Sequence, residues 1–325
     1  MRRSAGATAF HLSHWHDAIS ASFGHRIFDL VAERDGQIVG LLPLCEIRSP
    51  LTGRALISCA FAVEGGPIAD DPDVREALCA HAEELMHERR CTRLETRCPP
   101  PERDGWHAVS GLHYGFARDL EPDPEANLAR VRRKQRAMVR KAINFGLEAR
   151  IERDPSVFHQ LYAQSYLRLG TPVPAKRYIQ ALLDSFADEA DILTVYNEGS
   201  PVASVLSLYF NGICLPYYSG ASAQARDVAG NDFMYYALMR HAVSERGCHR
   251  FDFGRSKAGS GPFDFKRHWG FEPKPLTYAV YAPDGVPPAP ANPANGRFAQ
   301  AVRLWQRLPL PVSKALGRYL FPHFG

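Results

Sequence analysis

One short pattern occurs twice in this chain of 325 residues, and it constrains the fold more than any other feature. Glu88-Arg-Arg-Cys91-Thr-Arg93-Leu-Glu95 corresponds to Glu245-Arg-Gly-Cys248-His-Arg250-Phe-Asp252, each position lying 157 residues further on (91 to 248). Each copy ends a stretch of helical periodicity and opens a stretch that alternates like a strand. Each also follows an antiparallel hairpin pattern. In the first half, residues 28–33 and 38–47 flank Asp35-Gly36, and residues 55–63 offer a further strand. Residues 73–89 then place Val74, Ala77, Leu78, His81 and Leu85 on one helical face, before residues 92–97 alternate. In the second half, residues 192–196, 201–210 and 213–219 read as a meander turning at 197–200 and at Asn211-Gly212. A helix over 231–246 and a strand over 250–253 follow. The same slots in the same order predict a duplicated unit of mixed α/β (α+β) type.

Between the copies, Asp123-Pro124 opens a long helix, with Asp123 as N-cap, that runs to about Phe145 and stops at Gly146. Asp154-Pro155 repeats the signal for a helix through Leu169, and residues 176–187 form a third with Tyr178, Leu182, Leu183 and Phe186 inward. Residues 278–281 would be a closing strand. The expected division is one domain over 1–120, a second over 121–282, a linker rich in Pro, Ala, Asn and Gly over 283–296, and a basic amphipathic tail over 297–325.

Composition narrows the class. Hydrophobic residues make up 45% and charged residues 23%, enough apolar content for sizeable cores. No stretch approaches the roughly 18 apolar residues of a membrane span. The net charge of +4 is too small for a chain-wide nucleic-acid coat, so any basic function is local. Seven cysteines, an odd number without a CxxC, point to reduced thiols in the cytosol. The first residues carry basic groups but no apolar core of a secretory signal.

Four segments carry chemistry. The first is the helix of Arg130, Arg132, Arg133, Lys134, Arg136, Arg140 and Lys141, which holds no acid from Arg130 to Lys141. Leu128, Val131, Met138, Ala142 and Phe145 keep an apolar stripe for docking, so the cationic face is offered to an anion. The second runs from Phe251 through Arg255, Lys257 and Lys266 to Phe271: a strand ending in a charged, glycine-spaced loop. The third, Pro216-Tyr217-Tyr218-Ser219-Gly220, leads to a helix start at Asn231-Asp232. The fourth, His11, His14 and His16, lacks a supporting carboxylate, and no metal is expected.

These residues together resemble the FemAB family of acyltransferases. The resemblance rests on the basic run ending Arg140-Lys141-Ala142 and Gly146-Leu147, on Leu169-Gly170-Thr171-Pro172-Val173, on the Pro-Tyr-Tyr-Ser-Gly run, and on Phe251-Asp-Phe-Gly-Arg-Ser256 with Phe265-Lys266 and Trp269-Gly270-Phe271. More narrowly, the chain is similar to FemAB-like proteins associated with exosortase/PEP-CTERM exopolysaccharide systems of Gram-negative bacteria. The resemblance spans residues 10–282 and is more specific in the second half. It implies two tandem GNAT-like domains with mixed, largely antiparallel sheets, in agreement with the repeat. Two features depart from the pattern. The GNAT pyrophosphate signature Arg/Gln-x-x-Gly-x-Gly/Ala has Ala229 at its first glycine after Arg226, and no room exists between Gly146 and Asp154 for the long helical arm of some tRNA-using members. The donor thus stays open between acyl-CoA and aminoacyl-tRNA, with no tightly bound cofactor.

The expected function is N-acyl or aminoacyl transfer to an amine on a cell-envelope glycan, exopolysaccharide or peptidoglycan precursor. No activated Ser or Cys is evident, so direct attack in a ternary complex is expected. Lys266 and Arg255 are assigned cationic roles, the resemblance placing Lys266 at the donor; Asp252, Tyr218 and His268 are candidates for the amine's proton. Arg133, Lys134, Arg140, Lys141, Tyr217, Asn231 and Lys257 are candidates for substrate binding, with a tRNA end among the anions considered. Two readings compete: a non-catalytic scaffold of an exopolysaccharide assembly system, and simple RNA binding through the basic helix. The tail holds Arg297, Arg303, Arg307, Lys314 and Arg318 without an acid, with Phe298, Ala301, Trp305 and Leu308 at helical spacing. It suits either an interfacial helix on anionic lipid or a helix packed back on the domain. The expected location is the cytoplasm, with peripheral contact at the inner membrane through 297–325.

Overall fold

Two sheets of seven strands organise the computed structural model, which describes residues 4, 6–50, 53–283, 285 and 296–324. The chain divides into two units: Met1–His113 with Pro275–Asn292 and Leu320–Gly325, and Tyr114–Lys274 with Pro293–Tyr319.

The first unit begins with α1 (Ser13–Phe23), β1 (Arg26–Arg34), β2 (Gln37–Ser49), β3 (Gly53–Ser58), the short β4 (Ile68–Ala69), α2 (Pro72–Glu88), β5 (Arg93–Thr96) and β6 (Trp106–Val109). Asp35 and Gly36, with φ of 51° and 74°, make the tight turn between β1 and β2. Asp71 caps α2 by accepting from the Val74 amide at 2.9 Å, with Pro72 in the first turn. The helix buries Val74, Leu78, Cys79, Ala82 and Met86, whereas Ala77 and His81 are exposed, so its inward face is rotated from the expected one. The chain's last residues return to this unit, where the Phe321 ring stacks on Phe61 at 5.4 Å.

The second unit holds β7 (His113–Asp119), α3 (Pro124–Ala129), α4 (Arg133–Asn144), β8 (Glu148–Glu152), α5 (Pro155–Leu169), α6 (Lys176–Phe186), β9 (Ala190–Asn197), β10 (Ser200–Phe210), β11 (Ile213–Ala221), α7 (Gly230–Ser244), β12 (Arg250–Lys257), α8 (Gly261–His268) and β13 (Lys274–Pro275). After β14 (Tyr278–Tyr281) come α9 (Gly296–Gln306) and α10 (Leu310–Leu320). Both Asp-Pro signals open helices, with Asp123 accepting from Glu125 and Asp154 from Ser156 at the expected positions.

Three expectations need correction. The long basic helix is two helices. Arg132 takes an extended conformation between α3 and α4, and Arg136 donates to the Ala129 and Val131 carbonyls at 2.8 and 3.2 Å, satisfying the end of α3. Lys266 stands on helix α8, capped by Ser260, and not in an open loop. Strand β14, expected to close the second domain, pairs in the first sheet between β5 and β6, while β7 lies beside β12 in the second. The expected linker falls mostly outside the described residues.

The repeated pattern has the same local geometry twice. The Cys91 amide donates to Met86 at 2.9 Å and the Cys248 amide to Ala242 at 2.7 Å, closing the helix before each. Arg90 and Gly247, one residue earlier, share a left-handed φ of 51° and 60°. Each copy then enters a parallel pairing, β5 with β3 and β12 with β11.

Candidate active site

The two parallel pairs end differently. In the first unit, the segment after β3 folds back between the strand ends. Gly65 pairs with Arg97, Ser58 Oγ donates to the Gly65 carbonyl at 3.0 Å and accepts from the Arg97 amide at 3.0 Å, and the Arg97 guanidinium donates to Ala62. The space next to β5 is thus taken by the chain itself.

In the second unit β12 pairs with β11 only at Ile213↔Arg250 and Cys214↔Phe251, and beyond that the strands part. A bulge in β11 accompanies the parting: Leu206 opposes Tyr218 and Ser207 opposes Pro216, so Tyr217 is the extra residue of the bulge. At the far end of β11, α5 takes the place of the missing strand. Ser165 Oγ accepts from the Ala221 amide at 2.8 Å and donates to the Ala221 carbonyl at 3.0 Å. Between them the β11 edge facing β12 has no ladder partner from β12. From below, Tyr235 of α7 spans the gap, its ring 4.7 Å from Phe253 of β12 and its hydroxyl donating to Ser219 of β11 at 3.2 Å.

Two walls flank this opening. On the β12 side, the buried Lys266 ammonium donates to the carbonyls of Phe253, Arg255 and Gly254 at 2.7, 3.0 and 3.4 Å. Burial pushes this amine down to about 7, against the pull of Asp252. Asp252 is raised by burial and accepts from the Gly254 amide at 2.8 Å. Lys257, at the exposed end of β12, is lowered by desolvation and by Arg255. On the β11 side, Tyr217 and Tyr218 join Tyr162 and Tyr166 of α5 and Tyr178 of α6. Centroid distances run from 4.2 Å for Tyr162–Tyr166 to 6.3 Å for Tyr178–Tyr218. Burial raises the Tyr162, Tyr166 and Tyr218 hydroxyls, so they act as neutral donors.

The structure therefore gathers Asp252, Arg255, Lys257 and Lys266 on β12 and α8, with Tyr217 and Tyr218 on the facing strand. Asn231 is exposed at the first turn of α7, and His268 is exposed at the end of α8, pointing to no partner among the described residues. Arg133, Lys134, Arg140 and Lys141 lie exposed along α4, and among the described residues none has a carboxylate within 4.0 Å. They belong to a separate face. Arg118 joins α3 to the residue that ends α8, donating to the Asn127 carbonyl at 3.4 Å and to the Trp269 carbonyl at 3.3 Å.

The reading from sequence missed Asp232 as more than a helix cap. Its carboxylate accepts from the Trp269 indole at 3.0 Å, and burial raises it to about 6. Asp232 and Tyr235 stand three apart on the helix that faces the opening, a spacing that was legible once a helix start was placed there. Ala229, just before α7, has φ 57° and ψ 35°, the turn a glycine adopts at low cost, so the loop keeps its shape with Ala in the signature position. Among the described residues no cluster of three or more His, Cys, Asp or Glu could hold a metal, and His16, pushed down to about 4 by burial, stays neutral.

A parallel strand pair that opens at a bulge, above the start of a helix, defines the class. Residues 127–267, within the second unit, match the family model of the acetyltransferase (GNAT) domain. The whole fold is that of tandem GNAT-like proteins. It is similar to the crystal structure of FemX at a TM-score of 0.70 and 14% identity, covering 86% of this chain and 94% of that one. A tandem GNAT protein from the clavulanic acid biosynthesis pathway aligns at 0.55 and 16% identity over 88% and 90% of the two chains. The C-terminal domain of a putative lysylphosphatidylglycerol synthetase from Agrobacterium fabrum aligns at 0.54 and 15% over 89% of each. No curated protein matches the chain by sequence.

Proposed function

We propose that the second unit transfers an acyl or aminoacyl group directly to an amine of a cell-envelope glycan, exopolysaccharide or peptidoglycan precursor. The observation that carries this reading is the parting of β11 from β12 at the Tyr217 bulge. A donor lying along the freed β11 edge would meet backbone amides already fixed in direction, which stabilise negative charge on the attacked carbonyl without reorganisation. The amine nitrogen bonds to the carbonyl carbon, the bond to the donor's sulfur or ester oxygen breaks, and the amine's surplus proton passes to a base. Asp252 and Asp232 are the groups along this opening that could take it, while Tyr218, held neutral by burial, can only donate a hydrogen bond there. Arg255 and Lys257 supply charge for the phosphates of acyl-CoA or of an aminoacyl-tRNA end, and Arg133, Lys134, Arg140 and Lys141 form a second anion-binding face for donor or precursor. A covalent intermediate on sulfur is disfavoured, because Cys214 is buried with its thiol raised and Cys248 is pushed up to about 11. In the first unit the corresponding space is filled by residues 59–65, which supports a supporting role there.

The test is transfer itself. The full chain is incubated with acyl-CoAs and with charged tRNAs, each with amine-bearing glycan and peptidoglycan precursors, and products are read by mass spectrometry. Acylated amine from either donor supports the reading. Precursor binding with no transfer from any donor would replace it with the scaffold reading.

A further inference from the structure

Helix α10 is amphipathic in the reverse of the usual sense. It packs on its own unit through small residues: Ser313 and Gly317 are buried, and a Cβ at Gly317 would lie 2.6 Å from the Val173 carbonyl oxygen in the loop between α5 and α6. Its outward face is the apolar one. Val312, Leu316 and Tyr319, at positions i, i+4 and i+7, are 41%, 43% and 63% exposed, with the exposed Ala315 among them. In α9, which is held to α5 by the Gln306 amide donating to the Arg168 carbonyl at 2.9 Å, Leu304 is 66% exposed. An apolar stripe normally turns inward because burying it is the main favourable term in packing. Here the inward contact is made by small residues, so the stripe remains for something outside the unit.

Charge identifies the occupant. From Gly285 to Gly325 the chain has no Asp or Glu, while Arg303, Arg307, Lys314 and Arg318 stand on α9, α10 and the turn between them. The Arg318 guanidinium lies 4.5 Å from the centroid of the Tyr319 ring and donates to its hydroxyl at 2.7 Å, placing a cation beside the aromatic end of the stripe. Apolar side chains flanked only by cations, with an aromatic at the edge, complement an interface whose interior is hydrocarbon and whose surface is anionic phosphate. Within residues 285–325 no acidic side chain interrupts the cations. We propose that the outer face of α9 and α10 is a docking surface for an anionic phospholipid bilayer. The helices lie in the headgroup region and do not cross it, and no described helix is long and apolar enough to span a membrane. This inference stands apart from the acyl-transfer chemistry.

The experiment uses the full chain, since α10 is packed against the α5–α6 loop and truncation would disturb it. Sedimentation with phosphatidylcholine–phosphatidylglycerol vesicles is compared with phosphatidylcholine alone. Wild type should partition onto the anionic vesicles only. Replacing Arg303, Arg307 and Arg318 by Gln should weaken that partitioning roughly a hundredfold, at about fivefold per surface cation. Leu316→Asn with Tyr319→Asn should weaken it by about tenfold or more at unchanged melting temperature. Replacing Arg133, Lys134, Arg140 and Lys141 by Gln should leave it in place. Equal binding of wild type and the tail variants, or binding lost only with the α4 variant, would overturn the proposal. So would a wild type that ignores vesicles but forms dimers that Leu316→Asn dissolves, which would make the stripe a contact between copies.

Discussion

The Lys266 ammonium lies 2.7 Å from the Phe253 carbonyl and shares its remaining protons with Arg255 and Gly254, so all three of its donors are spent on the backbone of β12. At 9% exposure it holds the wall of the opening in shape. The assignment of this lysine to the donor's developing charge then becomes a proposal about position: its field reaches the reacting carbonyl through the strand end it organises. Lys266→Met should lower stability by about 2–4 kcal/mol, because several buried carbonyls lose their partner. The sign of the pH effect follows from an amine whose folded value is about 7 against 10.5 in the unfolded chain. The unfolded state binds more protons in that interval, so this residue's contribution grows as pH rises from 7 toward 10.5, is lost as pH falls back toward 7, and changes no further below that. The stability gap between wild type and variant, measured by urea titration at pH 6.5 and 9, should widen at the higher pH; a constant gap would mean an ordinary lysine pKa.

Asp232 runs the other way. Its carboxylate is raised from 3.8 to about 6, so the folded state binds more protons between those values and stability falls as pH climbs through them. Asp232→Asn keeps an oxygen for the Trp269 indole and removes the buried charge. It should stabilise the protein at pH 7 by about 1–3 kcal/mol and make stability flatter between pH 4 and 6. If Asp232 receives the amine's proton, turnover in the same variant falls by about 10²–10⁴. A thermal shift with unchanged turnover would leave Asp252 as the base.

The basic face of α4 is open to a direct measurement. Replacing Arg133, Lys134, Arg140 and Lys141 by Gln should change the melting temperature little, since exposed unpaired cations contribute almost nothing to folding. Affinity for a phosphate-bearing substrate should fall and its dependence on salt should flatten. Unchanged affinity at low ionic strength would reduce the cluster to a solvated surface.

Gly220 marks the closest approach of β11 to α5. A Cβ there would collide with the Tyr162 backbone, which cannot retreat without taking the helix with it. Gly220→Ala should cost about 1–3 kcal/mol or more and displace the tyrosines that flank the opening. Crystal structures or near-ultraviolet circular dichroism of the variant would register the change; a native spectrum and stability would show that α5 yields easily.

Local signals were legible in the sequence and distant ones were not. Asp123-Pro124, Asp154-Pro155, Asp35-Gly36 and Asn211-Gly212 each fixed a helix start or a turn through atoms a few residues apart. The cysteine repeat marked two equivalent helix-to-strand junctions for the same reason. The break between α3 and α4 was hidden, because it is set by Arg118, Arg136 and the approach of Gly270 to the Arg130 carbonyl, contacts that no periodicity encodes. Ser260 and Pro262 were a readable cap for α8, obscured by the glycines around them. At the site, residue types were found but their duties were not. Lys266 looked like a free charge because sequence shows an ammonium and not the three carbonyls around it.

Strand β14 lies between β5 and β6, yet it is encoded after every strand of the second sheet. On a ribosome the first sheet cannot be finished when its own helices and hairpins have emerged. The slot between β5 and β6 waits, its edges unpaired, until Tyr278–Tyr281 leaves the exit tunnel. Completion of the first sheet is thereby tied to translation through Tyr281, after every strand of the second sheet, and closing a loop of that length makes a late, slow event of what the order of the strands suggests is the early one.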